Sequence, residues 1–431
     1  MNKLVLIALV TLFAGVMADN YAVLVAGSNG YGNYRHQSDV CHAYHTLLAK
    51  GYTANNIIVF SYNDVANNKQ NPFKGTLFNK PTYKNPGVDV NQGCVIDYQG
   101  KDVTPANYLA VIKGLKDQVK GGNKRVLESG PDDHVFLSFF DHGAPGLIAF
   151  PSQYLYAKDL QDAFVYMYNN NKYARLVYYL EACESGSMFQ NLPANLNIYA
   201  VSAASPDESS WAAYCGSDAV VNNKNIGSCL GDLFSVNWLE DTDARTDLSD
   251  YSLQQQFVVV KNLTTESQVM QWGDLEFTSE PVGDYLSGST TPSKKVNNYL
   301  RAFFAYGNEE NIFNQPKKGL LNSRQATLNY LLNKFQSQPT TENFQELSEA
   351  LKLVEKFARK FLQFAEKFVL KGQSNALTTN FSCYSNLIDQ FETSCGKIPE
   401  SKLGELKYFY EFCGQERFYG VNTLQFFQSI C

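Results

Sequence analysis

The sequence predicts an α/β fold, a mostly parallel sheet with helices on both faces, joined to a smaller all-α segment. Three observations carry this. Five apolar runs of strand length, Tyr21–Ala26, Asn56–Tyr62, His134–Phe140, Leu176–Glu181 and Ile198–Ala203, end in small or polar residues. Helical patterns lie between them, at Asp39–Leu48, after Thr104 and at Gln161–Asn169, and such alternation builds parallel strands through crossover helices. Beyond Gly283 the strand runs stop, a Ser/Thr-rich stretch opens at Ser287–Ser293, and from Glu342 the pattern turns helical.

Taken in order, Met1–Ala18 has the form of a secretory leader, with Lys3, the apolar run Leu4–Phe13 and small Ala18 before Asp19. Residues 19–285 hold the strand runs, and the first of these enters the turn Gly27–Asn33. The polar stretch Asn63–Val103, rich in Asn, Pro and Gly, reads as an excursion from the core. Thr104 and Pro105 suit the cap and first position of a helix expected to reach Lys120. Residues 286–325 read as a linker and 326–431 as a helical domain. There Leu347, Leu351, Val354, Ala358, Phe361, Ala365 and Phe368 keep a 4-3-4-3 spacing, which predicts one packing face, with Gly372 as its stop.

Composition narrows the function. With 44% hydrophobic and 18% charged residues the chain is globular, and a net charge of −6 without Lys/Arg blocks argues against a nucleic-acid partner. No stretch is apolar for long enough to span a membrane, so a protein of the secretory or endolysosomal route is expected. Charge is uneven: −11 over Asp19–Tyr285, +4 over Leu286–Gln325 and zero beyond. Nine cysteines suit an oxidising compartment and leave at least one thiol free. Cys383, Cys395, Cys413 and Cys431 fall near the C-terminus, Cys215 and Cys229 flank a short polar loop, and Cys41, Cys94 and Cys183 remain. Asn262 and Asn380 each open an Asn-X-Ser/Thr triplet and are candidate glycosylation sites.

Cys183 follows the apolar run Leu176–Glu181, where parallel sheets collect their ligands. A buried thiol is often inert packing, so a nucleophile needs a base, and His is the usual one. Of five histidines, His42 and His45 fall inside a helix and His134 begins a strand. His142 ends the run Val135–Phe140 and precedes Gly143-Ala-Pro-Gly, the same kind of position as Cys183. The two make a candidate dyad, and the Gly143 and Cys183 N–H groups are candidate oxyanion donors.

At this point the residues resemble a known family. Phe140-Asp-His142-Gly-Ala-Pro-Gly and Glu181-Ala-Cys183-Glu-Ser-Gly-Ser are similar to the two catalytic motifs of the legumains, also described as asparaginyl endopeptidases or vacuolar processing enzymes. Val25–Gln37 and Ser235–Asp241 match two further blocks. The resemblance implies a caspase-like α/β/α sandwich with six strands and cleavage of peptide bonds after asparagine, or after aspartate at acid pH. It implies Cys183 as nucleophile, His142 as base and acid, Asn33 as the residue orienting the histidine, and a possible succinimide at Asp141. Its specificity pocket falls on Arg35, His36, Glu181, Ser209, Ser210 and Asp232; pairing Arg with acidic residues suits a carboxamide, which both accepts and donates. It suggests disulfides Cys215–Cys229, Cys383–Cys413 and Cys395–Cys431, although four cysteines alone permit three pairings. No metal or other cofactor is implied. Expected partners are peptides and proteins with exposed Asn, the chain's own C-terminal domain as inhibitor, and cystatin-type inhibitors. The expected location is lysosomal, vacuolar or extracellular.

The charge pattern suggests a latch in which Lys294, Lys295, Arg301, Lys317 and Lys318 pair with carboxylates of the acidic body until acid weakens them. Self-cleavage is expected in the linker, at Asn297 or Asn298, with Asn308, Asn311, Asn314 and Asn322 as competitors. Transpeptidation is an expected side activity, since an amine can resolve a thioester. Two rivals are a catalytic subunit of the glycosylphosphatidylinositol transamidase type and a catalytically inactive binding protein.

Overall fold

The structure is a computed structural model and describes residues 18–82, 86–288, 317–369, 379–415 and 422–431. The leader other than Ala18, Lys294, Lys295, Asn297, Asn298, Arg301, Asn308, Asn311, Asn314 and Gly372 lie outside these residues.

Five parallel strands, β1 (Asn20–Ala26), β2 (Ile57–Phe60), β3 (His134–Phe140), β4 (Arg175–Glu181) and β5 (Ile198–Ser202), form the expected sheet. A short strand β6 (Trp211–Ala213) lies outside it, while β7 (Met270–Gly273) closes one edge antiparallel to β5. The order is β7-β5-β4-β3-β1-β2. Side chains alternate along each strand. Ala22, Leu24 and Phe136 face one core with helices α1 (Tyr34–Ala49) and, later in the chain, α4 (Leu233–Ala244). Val23, Val25, Leu137 and Leu180 face the other, with α2 (Pro105–Ile112) and α3 (Ala157–Asn169). Both faces are covered, as continuous apolar strands require.

Local chemistry sets the element ends. Thr104 accepts from the Asn107 N–H at 3.2 Å and Pro105 opens α2. That helix ends at Ile112, not Lys120, because Gly114 takes φ +71° and turns the chain. Helix α5 (Leu253–Leu263) begins with a reciprocal Ser252/Gln255 capping box. The stretch after Asn63 returns to the core through Val65, Leu77, Phe78 and Val90, and the disulfide Cys41–Cys94 ties it to α1.

The C-terminal region begins with β8 (Leu321–Asn322) and continues through α6 (Ala326–Ser337), α7 (Thr341–Phe368), α8 (Phe381–Cys395), α9 (Lys407–Cys413) and α10 (Thr423–Ile430). Phe357, Phe361, Phe364, Phe391, Phe409 and Phe427 form its core. The expected single stripe on α7 is not what is buried: Leu351 is 51% exposed, and Phe357 and Phe364 replace Val354 and Ala358. The helix is longer than any one partner, so its first half meets α6 and its second half meets the disulfide-linked helices. Disulfides join Cys383 to Cys413 and Cys395 to Cys431, and Cys215 to Cys229 in the body. The same aromatic core takes in Ala144, Leu147 and Ala149, from the hairpin that follows β3. Within it, Gly146 (φ +72°) lies where a Cβ would come within 2.5 Å of Tyr410. No helix among the described residues is long and apolar enough to cross a membrane.

Candidate active site

The register of β3 and β4 builds the site. Phe140 stands opposite Glu181, and two residues beyond each stand His142 and Cys183. Parallel neighbours lie about 4.8 Å apart, so both side chains leave the same sheet edge from adjacent strands. All eight other cysteines are in disulfides; Cys183 is the free thiol and is fully buried. Its turn is tight. Glu184 takes φ 48°, a left-handed conformation costly for a side chain, and is held by its N–H to Glu208 O (2.7 Å) and by Ser187 Oγ on its carbonyl (2.6 Å). A Cβ at Gly143 would come within 2.2 Å of the Cys183 carbonyl, so only glycine lets that loop lie against the thiol turn.

Cys183 Sγ accepts from the Ser210 N–H at 3.3 Å. Burial pushes its pKa up, while the Arg324 guanidinium pulls the other way. His142 Nε2 meets Asn33 Oδ1 at 2.9 Å, and the buried Nδ1 has no hydrogen-bond partner. Asn33 is fixed in turn by its Nδ2, which donates to Asn29 O at 3.1 Å.

Beside this pair lies a buried ionic cluster. Arg35 Nε donates to Asp232 Oδ1 at 2.7 Å, and neither side chain is more than 1% exposed. Glu181 Oε2 accepts from Ser235 N and Oγ, both at 3.0 Å, at the positive N-terminus of α4. Burial first, and then Asp232, push Glu181 well above the usual carboxylate range. Three buried atoms of Arg35, Glu181 and Asp232 remain without a hydrogen bond, Arg35 Nη2, Glu181 Oε1 and Asp232 Oδ2, and so does His36 Nε2. Ser210 is buried and Ser209 half-buried. His36 contacts Ser28 Oγ at 2.6 Å and Asp141 Oδ1 at 3.2 Å through Nδ1, and lies 3.4 Å from Asp232 Oδ2 through Nε2. Burial holds His36 well below its ordinary pKa and raises that of Asp141. Asn262 is exposed on α5, and Asn380 caps α8 by accepting the Cys383 N–H.

Sequence reasoning missed three participants. Asp39, one helical turn after Arg35, accepts the Asp232 N–H at 3.1 Å and so places that residue; the i,i+4 spacing is the signal for it. The other two come from the C-terminal region. Strand β8 pairs antiparallel with β6, Asn322 opposite Trp211, and Ser323 N donates to Ser210 O at 3.1 Å. Arg324 then pairs with Glu184 and donates to Gly143 O at 2.9 Å. Glu400 accepts from Asn33 Nδ2 at 2.7 Å and Thr327 Oγ1 at 2.9 Å, and lies 3.3 Å from His142 Nε2. Neither Arg324 nor Glu400 carries a sequence signal, since the site residues that each meets lie more than a hundred residues away. Of the latch cations, Lys317 pairs with buried Glu240, and Lys318 forms no ion pair among the described residues.

A solitary thiol beside an imidazole at the carboxyl edge of a sheet is the equipment of a cysteine hydrolase. Comparison with known proteins defines it further. Residues 20–291 match the Peptidase C13 family. The chain is 36% identical over 415 residues to a vacuolar-processing enzyme of Vicia sativa, covering 91% of this chain and 82% of that protein. It is 38% identical over 383 residues to legumain of Homo sapiens, covering 87% and 84%. It is 49% identical over 255 residues to a hemoglobinase of Schistosoma japonicum, covering 59% and 57%. Among solved structures, caspase-1 from Spodoptera frugiperda overlays 63% of this chain and 93% of its own at TM-score 0.37 and 8% identity, too distant to add to the topology above. The chain belongs to the peptidase C13 family and is a legumain-type cysteine endopeptidase.

The contacts across the site have a definite acid response. His142 with its neighbours holds Glu400 at about 2 against its partial burial, and Lys317 holds Glu240 at about 2 against its burial; the ordinary value is 4.5. Carboxylates depressed in the docked arrangement stabilise docking above about pH 4.5, and lose that contribution as pH falls toward 2. Glu184, raised by burial to about 7 despite Arg324, has the opposite sign and favours docking as pH falls below 7. Glu400→Gln is expected to weaken docking of the C-terminal helices by about 1 kcal/mol and to flatten its dependence between pH 4.5 and 3. Hydrogen exchange on α8 and α9 across that range checks this; unchanged protection and slope contradict it.

Proposed function

We propose that this peptidase cleaves after asparagine, and that the pocket beside Cys183 reads the carboxamide. The observation that carries the reading is the set of unpaired atoms. A primary carboxamide offers an acceptor oxygen and two N–H donors, and Arg35 Nη2, Glu181 Oε1 and Asp232 Oδ2 are one donor and two acceptors. Unpaired buried polar groups are costly, so a ligand that satisfies all three is selected over one that does not. An aspartate side chain fits the same set once acid has made it neutral. His36, Ser209 and Ser210 complete the wall.

In the proposed reaction His142 takes the Cys183 proton, Nδ1 being the nitrogen without a partner, and Asn33 steadies the ring through Nε2. The thiolate adds to the carbonyl carbon, and the Gly143 and Cys183 N–H groups receive the oxyanion. The intermediate collapses to a thioester as His142 gives its proton to the departing amine. Water, deprotonated by His142, then releases the acid; an incoming amine instead gives transpeptidation. The C-terminal helices act as the inhibitor of the uncleaved chain, since Arg324 and Glu400 cover both sides of the dyad. Self-cleavage is assigned to Asn322–Ser323, because this bond follows the strand added to β6 and Ser323 bonds the same Ser210 whose N–H reaches Cys183 Sγ. Asn322 Oδ1 accepts from Arg324 N at 3.0 Å, so its carboxamide is turned onto its own turn while the chain stays docked. The four disulfides, and the name of the vacuolar relative, favour an acidic compartment of the secretory route.

Acid-treated protein given matched peptides is expected to prefer Asn over Gln about 100-fold in kcat/KM, with activity abolished in Cys183→Ala. Equal rates for Asn and Gln contradict the pocket reading, and no turnover of any peptide favours the inactive binding protein. Mass spectrometry after acidification is expected to find a new terminus at Ser323, lost in Asn322→Gln; a fully active enzyme intact at that bond contradicts the assignment.

A further inference from the structure

We propose that His36, Asp141, His142 and Glu400 form a four-coordinate site for a divalent transition metal, zinc above all, in the uncleaved chain. The ion is not a cofactor of the peptidase reaction; it joins the C-terminal helices to the proposed base. Binding rests on geometry alone, and only the ion's hold on the base rests on the role proposed for His142.

The ligand atoms run in a chain. His36 Nδ1 is 3.2 Å from Asp141 Oδ1, that oxygen is 4.0 Å from His142 Nε2, and His142 Nε2 is 3.3 Å from Glu400 Oε2. Zinc bonds of about 2.0–2.1 Å at tetrahedral angles place neighbouring ligand atoms about 3.3 Å apart. The first three residues already bring a ligand atom each within 4.8 Å of one another. Glu400 stands 3.3 Å from His142 Nε2 but outside that group of three, so a small inward turn of its carboxylate on binding makes it the fourth ligand.

Three further observations favour a cation here. Asp141 Oδ1 is buried and has no hydrogen bond, although it is flanked by two imidazoles. When the ion binds, Asp141, whose pKa burial raises, gives up its proton, and two neutral imidazoles with two carboxylates then carry −2, which a divalent ion neutralises. A second-shell carboxylate is also at hand: His36 Nε2 lies 3.4 Å from Asp232 Oδ2, unbonded in the ion-free chain and close enough to hydrogen-bond once Nδ1 takes the metal. Two imidazoles with two carboxylates suit zinc or cobalt, while magnesium and calcium want oxygen alone.

Binding exchanges partners at two points. Ser28 Oγ, now on His36 Nδ1, gives up that bond. The proton on His142 Nε2, now shared with Asn33 Oδ1 and Glu400, leaves for solvent or for the unpartnered Nδ1. Asn33 Nδ2 and Thr327 Oγ1 keep their bonds to Glu400. An ion can enter past Glu400, whose side chain is 36% exposed, whereas that of His142 is 2% exposed.

The test uses full-length protein without a polyhistidine tag, as wild type and as Cys183→Ser, which prevents self-cleavage. Equilibrium dialysis is expected to find one Zn²⁺ per chain in both, with affinity at least tenfold weaker in Glu400→Gln and in Asp141→Asn. Co²⁺ is expected to give the intense visible absorption of a four-coordinate ion, and Zn²⁺, but not Mg²⁺, to raise the melting temperature of the Cys183→Ser chain. Affinity unchanged in both Glu400→Gln and Asp141→Asn overturns the proposal. So does binding that disappears in Cys183→Ser, which would place the ion on the thiol.

Discussion

The candidate site depends on the parallel register of β3 against β4. It places Phe140 opposite Glu181, and thereby His142 and Cys183 at the same height on one sheet edge. A slip of one residue would turn every side chain of one strand to the opposite face and part the two groups. The register is held on both faces at once, by Leu137 and Leu180 in one core and Phe136 and Tyr179 in the other. Beyond the strand ends, Gly143 and the left-handed Glu184 let the two loops touch.

That edge carries an unusual density of buried charge. Arg35, Asp39, Asp141, Glu181 and Asp232 are all nearly inaccessible, yet one guanidinium serves several carboxylates. Burying charge is costly unless it is paired, so such an arrangement persists where a ligand completes it. The C-terminal region answers this edge with charges of its own. Arg324 meets Glu184 beside the thiol, and Glu400 meets His142 beside the imidazole. The aromatic helices extend their core onto the hairpin after β3, so apolar packing and ion pairing hold one surface.

Much of the fold was legible because burial on two faces forces continuous apolar strands, which stand out in any sequence. The parallel sheet, the capped helix at Thr104 and the helical C-terminal region followed from pattern. The edge strand Met270–Gly273 did not, being short, half-buried and without alternation. Leu351 misled because a spacing of 4-3-4-3 says nothing about where one helix changes partners. At the site, the histidine census led to His142, while Asn33 and the pocket came from family motifs. Arg324, Glu400 and the Cys41–Cys94 link rest on long-range docking that no local spacing encodes. The charge count led to a basic connector against an acidic body; of its candidates Lys294, Lys295 and Arg301 lie outside the described residues, Lys317 pairs with Glu240, and Lys318 forms no ion pair among the described residues.

The central claim is that three unpaired polar atoms make the pocket a reader of carboxamides. The most direct measurement compares kcat/KM for two peptides that differ only in Asn against Leu, which has the same shape without its hydrogen-bonding groups. A site whose buried polar groups are left unpaired by the wrong ligand discriminates by about 10⁴, and that ratio is predicted here. A ratio below about tenfold would mean that shape alone fills the pocket, and would contradict the account.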